Sequence, residues 1–466
     1  MSRILFIQFI RRCGAGDTAP VFDQSLGQLS AALRRDGHET NLVRIDGFNP
    51  KLVRATIESA QPDFAYCDIR GSSIDVATRT LREIRERYSM HVLVGGSLAT
   101  TMPDMALSLP GVCGVVLGDG DQSLPAYIAQ GTNGSPRTGC HGIWTIEGGK
   151  VYKRGAATLM PDLDALPFAD RELFGARADE RVFDITVGRG CPARCAYCIN
   201  DRFGEACGGG TEFVRRRSPD HVCDELDDLC EQYPETEFIR FTDHAFIHDV
   251  VWLAEFSRVY ADRCGMPFKC HVRANALDAR RADLLREAGC VTAEIEIISG
   301  SDFVRNEILE MDTSDAQMND AFALLRERGI ETHAVNFIGA PYSTPMAEAQ
   351  TVQLNRHVHP EYVEARVYYP FAGTPARDLC KEMGWLSNRS EDSYSRQLSV
   401  LDMPGLSANQ IREITRSTTD QMSGGGAIGL RRKIERGLER CKDLAIGVLA
   451  AMRRAIGLFT SPKRRW

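Results

Sequence analysis

The chain lacks three features that would tie it to a membrane, a secretory route or nucleic acid. It contains no uninterrupted apolar run of about 18 residues, so we expect no transmembrane helix. Its apolar start, Ile4–Ile10, is short and precedes Arg11 and Arg12 without a small-residue cleavage site, which favours a buried strand over a signal peptide. The formal net charge is -7. Without a positive excess, we expect no general nucleic-acid partner.

What is present is typical of a protein with a large buried core. Hydrophobic residues make up 43% and charged residues 26% of the 466 residues. The 15 cysteines, without a signal peptide, favour a reducing compartment in which thiols stay free to bind metal. We therefore expect a cytoplasmic protein.

The most informative segment is Gly188–Asn200, which carries Cys191, Cys195 and Cys198. This Cys-x-x-x-Cys-x-x-Cys spacing supplies three thiolates from one loop. A cubane iron-sulfur cluster has four irons, so one iron would stay open to a substrate, whereas a structural zinc ion usually takes four protein ligands. The spacing thus predicts a catalytic 4Fe-4S site rather than zinc or unrelated core thiols. The other cysteines form no second motif, so we expect no auxiliary cluster.

Residues 1–145 alternate strand-like apolar runs with helical patterns, which predicts a doubly wound parallel sheet, Rossmann-like in architecture, with ligands at the carboxyl ends of its strands. Three glycine-bearing turns fall at such ends. They allow close approach of a phosphate or a flat macrocycle, although tight turns favour glycine anyway. The turns are Arg70–Ser73, Gly95–Ser97 and Gly118–Asp121.

A Pro- and Asp-rich linker is predicted for 146–180, followed by six strand–helix units over 181–385. Six such units predict a partial (β/α)6 barrel with its chemistry at the carboxyl ends of the strands. Residues 386–466 are predicted to be helical, with a basic amphipathic tail: from Arg431 to Trp466 there are 11 Lys and Arg against 3 acidic residues. Such a tail either lies on an anionic membrane surface or packs on the barrel.

The cysteine loop resembles the signature of the radical S-adenosylmethionine (SAM) enzymes, with Tyr197 before the third cysteine. Further motifs follow in the order of that family's strand ends, and residues 1–145 resemble the cobalamin-binding domain of one branch. The likeness covers about the first four-fifths of the chain. The motifs are Phe238–His244, Ser299–Asp302 with Arg305, Asn336–Pro341 and Tyr369–Pro375.

The resemblance implies that a cluster on the three cysteines binds SAM and cleaves it reductively to a 5′-deoxyadenosyl radical. The family often has Glu-Ser-Gly-Ser where this chain has Ile298-Ser-Gly-Ser301, so Glu294 or Glu296 would replace the missing carboxylate. We expect Arg305 to hold the SAM carboxylate, because a guanidinium can donate two parallel hydrogen bonds. The SAM-binding residues predicted in this way are Tyr197, Thr242, Asp243, Glu296, Ser299, Arg305 and Gly339.

The resemblance also implies cobalamin, with one departure from the family pattern. Classical members carry an Asp-x-His-x-x-Gly loop after the first strand, but Arg11–Pro20 contains no histidine. We therefore expect no His ligand from this loop below the cobalt, and Arg70 is the candidate to lie there, unless it is a solvated loop residue. The predicted cobalamin contacts are Arg70, Ser72, Gly95, Gly96, Ser97 and Gly118.

These features predict methylation of an unactivated carbon in a small-molecule or lipid-like substrate. A cyclisation, oxidation or rearrangement with the same cofactors is the alternative, then a cobalamin or redox sensor, then a radical SAM enzyme that has lost cobalamin. An electron donor such as flavodoxin or ferredoxin is expected, and the tail would make any membrane contact peripheral. The predicted substrate-facing residues are His244, His271, Asn336 and Tyr369.

Overall fold

The computed structural model describes residues 1–10, 22–71, 73–131, 140–208, 213–389 and 397–422. It contains two α/β units joined by a connector, as the sequence predicts. Three of the predicted features lie outside the described residues: Ser72, the loop after the first strand and the basic tail.

The first unit is a seven-stranded sheet in the order β2-β1-β3-β4-β5-β6-β7. Its first five strands are parallel, and β6 and β7 form an antiparallel hairpin at one edge. The strands are β1 Arg3–Phe9, β2 Glu39–Ile45, β3 Phe64–Asp68, β4 His91–Gly95, β5 Val112–Val116, β6 Ile143–Glu147 and β7 Lys150–Arg154. The sheet thus continues into residues 146–154, which are part of the predicted linker.

Helices cover both faces of this sheet. They are α1 Gln24–Arg35, α2 Pro50–Ala60, α3 Ile74–Arg87, α4 Gly96–Thr101, α5 Pro103–Leu107 and α6 Ser123–Ala129. In β1, Leu5 and Ile7 belong to one hydrophobic cluster and Ile4 and Phe6 to another. A strand buried on both faces reads as a nearly continuous apolar run, which accounts for the apolar character of Ile4–Ile10.

The second unit is a six-stranded parallel sheet in the order β15-β14-β13-β12-β11-β8. Two short strands flank the cysteine loop: β9 Gly188–Arg189 precedes it and β10 Arg215–Arg216 follows it. They pair with each other as a two-stranded antiparallel ribbon. The six strands are β8 Val182–Ile185, β11 Phe238–Phe241, β12 Phe268–Val272, β13 Cys290–Ile298, β14 Glu331–Ile338 and β15 Tyr362–Val367. This arrangement confirms the predicted partial barrel.

Strand alternation separates the two faces of this sheet. Phe268, Cys270, Ala293, Ile295 and Ala334 belong to a single hydrophobic cluster that includes residues of the surrounding helices. Their neighbours in sequence therefore point to the opposite, concave face. The helices are α7 Ile199–Ala206, α8 Pro219–Gln232, α9 Val250–Arg263, α10 Ala279–Ala288, α11 Asp315–Glu327, α12 Pro345–Val358 and α13 Pro375–Glu382.

The last described helix, α14 Ala408–Met422, packs on the barrel beside β15. Its Ile411 is buried in the cluster that contains Ile338 and Val367. Among the described helices, we find none that combines the length and the apolar character needed to cross a bilayer.

Candidate active site at the cysteine loop

The cysteine loop is tied to the barrel by its own backbone. The Ala196 N–H donates to Leu309 O (2.9 Å), and Ala196 O accepts from Ala376 N–H (2.9 Å). The loop leaves β9 through Gly190, whose φ is +88° and whose added β-carbon would lie 2.2 Å from Phe213 O. Only glycine allows that approach. The three thiols therefore come from a segment that the fold holds in place.

The thiols sit where burial opposes their ionisation. Cys195 is buried and Cys191 and Cys198 are partly buried, and none forms a disulfide. Burial raises the pKa of Cys198 to about 12 and also raises that of Cys191. Bound metal would reverse this effect, because coordination deprotonates a thiol outright. The Arg273 guanidinium, at the end of β12, donates to Cys195 Sγ at 3.3 Å and supplies a positive charge beside the trio.

The donor set consists of three thiols from one loop. Across the described ranges, no group of three His, Cys, Asp or Glu side chains lies close enough together to hold one metal ion. In a cubane each cysteine binds a different iron, so its thiolates need not converge on one point. The three cysteines therefore suit an iron-sulfur cluster that leaves its fourth iron without a protein ligand.

Tyr197 links the cysteine loop to the concave face of the barrel. Its hydroxyl donates to Glu296 Oε2 (3.1 Å), and Glu296 Oε1 lies 3.5 Å from His244 Nδ1. Burial, followed by the Glu296 charge, raises the pKa of Tyr197 well above its ordinary value. Desolvation within the concave face, followed by the neighbouring His271, lowers the pKa of His244, which favours its neutral form at neutral pH.

A second carboxylate on the same strand lies at the centre of a polar cluster. Glu294 is contacted by Lys269 Nζ, by His271 Nδ1 (3.2 Å) and by His333 Nδ1 (3.3 Å). Burial alone would raise the pKa of Glu294, but the two neighbouring histidines, together with Lys269, hold it well below its ordinary value. The rings of His244 and His271 lie 4.6 Å apart. The concave face thus carries two adjacent imidazoles, each with a carboxylate beside its Nδ1 atom.

Arg305 does not point to the cysteine loop. Its side chain is 0% exposed and donates to Thr313 O (2.7 Å) and Ser299 O (2.8 Å), and it also pairs with Asp302 and Asp315. All three guanidinium nitrogens are engaged in the turn that follows β13. Arg305 therefore holds this turn, and its contact with the SAM carboxylate stays a prediction.

Ser299 and its neighbours shape the same turn. Ser299 is buried, and its Oγ accepts from Ser301 N–H (3.2 Å). The preceding Ile298 adopts φ +62°, and the pairing of β13 with β14 shifts register between Glu296 and Ile298. A left-handed conformation is costly for a β-branched residue, so the surrounding structure must impose it. Strain of this kind often marks functional sites.

Thr242 and Asp243 hold the start of the cysteine loop from the barrel side. The Asp243 carboxylate accepts from the N–H groups of Val187 (2.8 Å) and Gly188 (2.7 Å), and burial raises its pKa to about 6. The Thr242 hydroxyl lies 3.0 Å from the Thr186 hydroxyl. Both predicted SAM-binding residues therefore already contact the strand that leads into the loop.

Gly339 begins the turn after β14 at φ +84°, and a β-carbon there would lie 2.6 Å from Ile411 Cδ1. Its N–H donates to Glu348 Oε1 (2.8 Å) on α12. Burial raises the pKa of Glu348 from 4.5 to about 7. Close packing against Ile411 thus explains why position 339 is a glycine, and the buried Glu348 carboxyl group is the partner of its N–H group.

Replacing Glu348 with Gln should remove a pH dependence from the stability of the full chain. Because the folded-state pKa lies above the unfolded value, the contribution of this group is complete below about pH 4.5 and is lost as the pH rises through about 7. The wild type should lose at most about 3 kcal/mol over that interval. Urea unfolding across the interval measures the slope. An equally steep slope in Glu348→Gln would contradict this assignment.

The predicted cobalamin residues lie at the carboxyl edge of the first sheet. A β-carbon at Gly95 would lie 1.9 Å from Tyr66 Oη, and one at Gly96, where φ is +84°, would lie 2.1 Å from Asp68 Oδ1. Gly118 pairs with Thr158 and donates to Thr100 Oγ1 (2.9 Å). Internal packing alone therefore requires these glycines. The backbone carbonyl oxygen of Ser97, in α4, accepts a hydrogen bond from the Thr101 hydroxyl (2.8 Å).

Arg70 lies at the same edge and remains accessible. Its guanidinium pairs with Asp68 (3.2 Å) and with Asp23, and its side chain is 57% exposed. Arg70 thus presents part of a charged, anchored guanidinium to the space beyond the strand ends.

The carboxyl edges of the two sheets meet. A β-carbon added at Gly71, after β3, would lie 2.8 Å from the backbone nitrogen of Ala372, in the loop after β15. One added at Gly373 would lie 3.0 Å from Thr101 Oγ1 and 3.1 Å from Ile199 Cδ1, which starts the helix after the cysteine loop. Ligands of parallel α/β sheets bind beyond such edges. The ligand-binding edges of the two units therefore lie against each other.

Comparison with known proteins agrees with this architecture. The family model described as the radical SAM superfamily matches residues 185–353, and the model of the B12 binding domain matches residues 18–128. This chain belongs to the cobalamin-dependent radical SAM enzymes.

Two curated relatives of this radical SAM enzyme have different activities. The anaerobic magnesium-protoporphyrin IX monomethyl ester cyclase of Rubrivivax gelatinosus is 24% identical over 399 residues, which cover 82% of this chain and 70% of the relative. The cytidylyl-2-hydroxyethylphosphonate methyltransferase of Streptomyces wedmorensis is 24% identical over 285 residues, 53% of this chain and 52% of the relative. Sequence similarity alone does not choose between cyclisation and methylation.

Solved structures share the fold. The radical SAM methyltransferase TsrM from Kitasatospora setae, with cobalamin and a [4Fe-4S] cluster bound, has a TM-score of 0.65 at 17% identity and covers 89% of this chain and 81% of its own. The cobalamin-dependent SAM radical enzyme OxsB, with aqua-cobalamin and SAM bound, has a TM-score of 0.63 at 15% identity, over 82% of this chain and 61% of its own. Membership of the family implies a 4Fe-4S cluster, SAM and cobalamin.

One predicted substrate contact of this radical SAM enzyme lies elsewhere than expected. Asn336 is fully buried, and its amide pairs with that of Asn355 on α12, on the helix side of the sheet. Tyr369 is buried with its ring 5.1 Å from that of Phe371, and its contact with the substrate stays a prediction. His244 and His271, by contrast, lie together on the concave face.

Several residues that build the site were not singled out from the sequence. The positively charged guanidinium of Arg273 contacts Cys195, and Lys269 and His333 contact Glu294. Alternation along β12 and β14 could have indicated their common face, because residues two apart in a strand point the same way. The alternation does not show which loop this face of the sheet approaches.

Proposed function

We propose that this enzyme methylates a carbon atom of a polar small molecule, bound on the concave face of the barrel between the cysteine loop and the first domain. The observation that carries the proposal is the meeting of the two ligand-binding edges, which brings the loop after β3 against the loop after β15. When bound, the cluster with SAM supplies a radical able to remove hydrogen, and cobalamin supplies a methyl group.

The residues of the concave face support a substrate with hydrogen-bonding groups over a lipid chain. Glu294 is ionised in the folded state, and His271 orients its Nδ1 toward it. In that orientation the Nε2 atom of His271 faces away from Glu294. An alkyl chain would leave such groups desolvated without partners, which costs free energy. A hydroxyl, amide or carboxylate would satisfy them.

Side chains of this protein also set the environment of the reacting groups. Arg273 keeps a positive charge on the Cys195 side of the loop, and the Tyr197 hydroxyl fixes the Glu296 carboxylate. Gly71 lies close to Ala372, and we expect this approach of the two units to restrict water at their meeting edge. Excluding water protects a reactive radical from side reactions.

The test is anaerobic reconstitution of the full chain with iron, sulfide and cobalamin, followed by SAM with a deuterated methyl group, a reductant and an extract of polar metabolites. Methylation requires formation of S-adenosylhomocysteine, 5′-deoxyadenosine and a product that carries the deuterated methyl group. The same incubation without cobalamin is the control. Cofactor cleavage without S-adenosylhomocysteine or label transfer would contradict methyl transfer.

Cyclisation is the second candidate, because two curated relatives are cyclases. It predicts 5′-deoxyadenosine and a product with fewer hydrogens, without transfer of the labelled methyl group. The incubation above therefore separates the two reactions.

We further propose that no protein imidazole lies below the cobalt, and that Arg70 occupies that side. Arg70 is anchored by Asp23 and Asp68 at the sheet edge, which supports this placement. The EPR spectrum of the bound Co(II) form should be identical in protein grown with ordinary and with ¹⁵N-labelled histidine. A change in the nitrogen splitting would show a histidine ligand and contradict the proposal.

Reduction of the cluster is proposed to come from a flavodoxin or ferredoxin. A cleft of about 860 Å³ beside the loop supports this, because it is lined by Cys191, Arg194, Arg216 and Trp252.

A further inference from the structure

The ribbon that leads into the cysteine loop is held from two sides. On the barrel side, Asp243 accepts two backbone N–H groups at the start of the ribbon. On the other side, residues of the first unit contact Arg189 and Arg215, which are direct partners across the two strands. The ribbon is therefore a joint between the two units.

The contacts from the first unit form a buried network. The Arg189 guanidinium pairs with Asp121, donates to Gln28 Oε1 (2.8 Å) and lies 3.3 Å from Asp119 Oδ2. Arg215 donates to Asp119 Oδ2 (2.5 Å) and to Met160 O (2.8 Å). We call Asp119, Asp121, Arg189 and Arg215 the interdomain network.

The side chains of the interdomain network are buried, so the loss of one contact should be costly in free energy. The side chains of the network are at most 14% exposed. Exposed ion pairs contribute little, but removing one member of a buried pair leaves an uncompensated charge. Two guanidinium groups face two carboxylates, so every charge has a partner of opposite sign within the network.

The network lies one glycine away from the first cluster cysteine. Arg189 is followed by Gly190, which passes against Phe213 O, and then by Cys191. Because Gly190 packs closely against Phe213 and directly joins Arg189 to Cys191, we expect the position of Arg189 to set where the cysteine loop begins.

We propose that Asp119 and Asp121 of the first domain position the cysteine loop through Arg189, so that the cobalamin-binding domain completes the cluster site of the other domain. The inference rests on the proposed cluster at Cys191, Cys195 and Cys198. It assigns the Gly118–Asp121 turn to domain coupling. Arg189 and the two aspartates are positioning residues, since they act on the cluster only through the loop.

The first test uses the full chain without iron or cobalamin. Hydrogen exchange of the backbone amides in peptides spanning 188–198 should be at least about tenfold faster in Asp121→Asn and in Arg189→Gln than in the wild type, because each change leaves a buried group unpaired. Asp170→Asn is the matched control: it removes a buried carboxylate that contacts Ser30 and Arg34 on α1, while Gln28 of the same helix keeps its contact with Arg189. It should leave exchange of these peptides unchanged.

The second test uses the reconstituted enzyme. Both variants should release iron to a chelator faster and show an altered EPR spectrum of the reduced cluster with SAM. The double variant should resemble the worse single variant, as expected for residues that act as one unit. Wild-type exchange and spectra in both single variants, with only a lowered melting temperature as in Asp170→Asn, would overturn the proposal. Failure of the wild type to form a cluster would instead refute the proposed function, and the exchange experiment would still decide the coupling.

Discussion

Replacing Cys198 with Ala should reduce reductive cleavage of SAM to the background of the reaction mixture without protein. The side chain lies in a loop fixed to the barrel by backbone hydrogen bonds of Ala196 with Leu309 and Ala376. Two cysteines leave a cubane with two irons that lack protein ligands. Iron and sulfide content, the visible absorbance of the cluster and 5′-deoxyadenosine formation measure the effect, and the same result is expected for Cys191 and Cys195.

Cys230→Ala is the matched control for this experiment. Cys230 is a partly buried thiol on α8 of the same barrel, packed against its hydrophobic core and outside the cysteine loop. This variant should retain its iron, sulfide and cleavage activity. Equal cluster content in Cys198→Ala and wild type would refute the assignment of the loop as the cluster site.

Arg305→Met should destabilise the fold by about 3 kcal/mol, because the change leaves two buried carbonyl oxygens without donors at about 1–3 kcal/mol each. These carbonyls belong to Ser299 and Thr313, and both accept from the guanidinium. Asp302 and Asp315 are largely exposed and would regain water. The free energy of unfolding in urea, measured on the full chain, gives the effect.

Arg273→Met is the contrasting variant, because its guanidinium contacts Cys195 Sγ and Met311 O beside the cysteine loop. It should change the EPR spectrum of the cluster and the KM for SAM more than the stability. If Arg305→Met kept its stability and changed only the KM for SAM, the role that family resemblance gives to Arg305 would be correct and the structural assignment wrong.

The partial barrel was predictable because its six strands repeat one local pattern. Apolar residues at alternate positions of β12 and β13 mark the helix-facing side, and turns with glycine or proline separate the units. The same alternation argues against Asn336 as a cavity residue. It stands three positions from His333 in β14, and residues an odd number apart in a strand point to opposite faces.

The contacts of the predicted polar residues were less accessible to sequence reasoning. Asp243 ends a strand, as expected of a ligand-binding residue, but its carboxylate is engaged by backbone N–H groups of Val187 and Gly188. Arg305 follows a family motif, yet it closes its own turn. In both cases the residue type is compatible with a ligand and with a structural partner, and only the position of the partner distinguishes them.

The sequence by itself determined the family, the order of the two α/β units and the three thiols of the cysteine loop. These features are local: a spacing of eight residues, or a repeat of strand and helix. Only the tertiary structure decided that Arg273 rather than Arg305 lies beside the thiols, that Glu294 and Glu296 align with two histidines, and that Asp121 reaches Arg189. Such pairs join residues tens of positions apart, and their geometry exists only when separate strands have packed into one sheet and the two sheets have met.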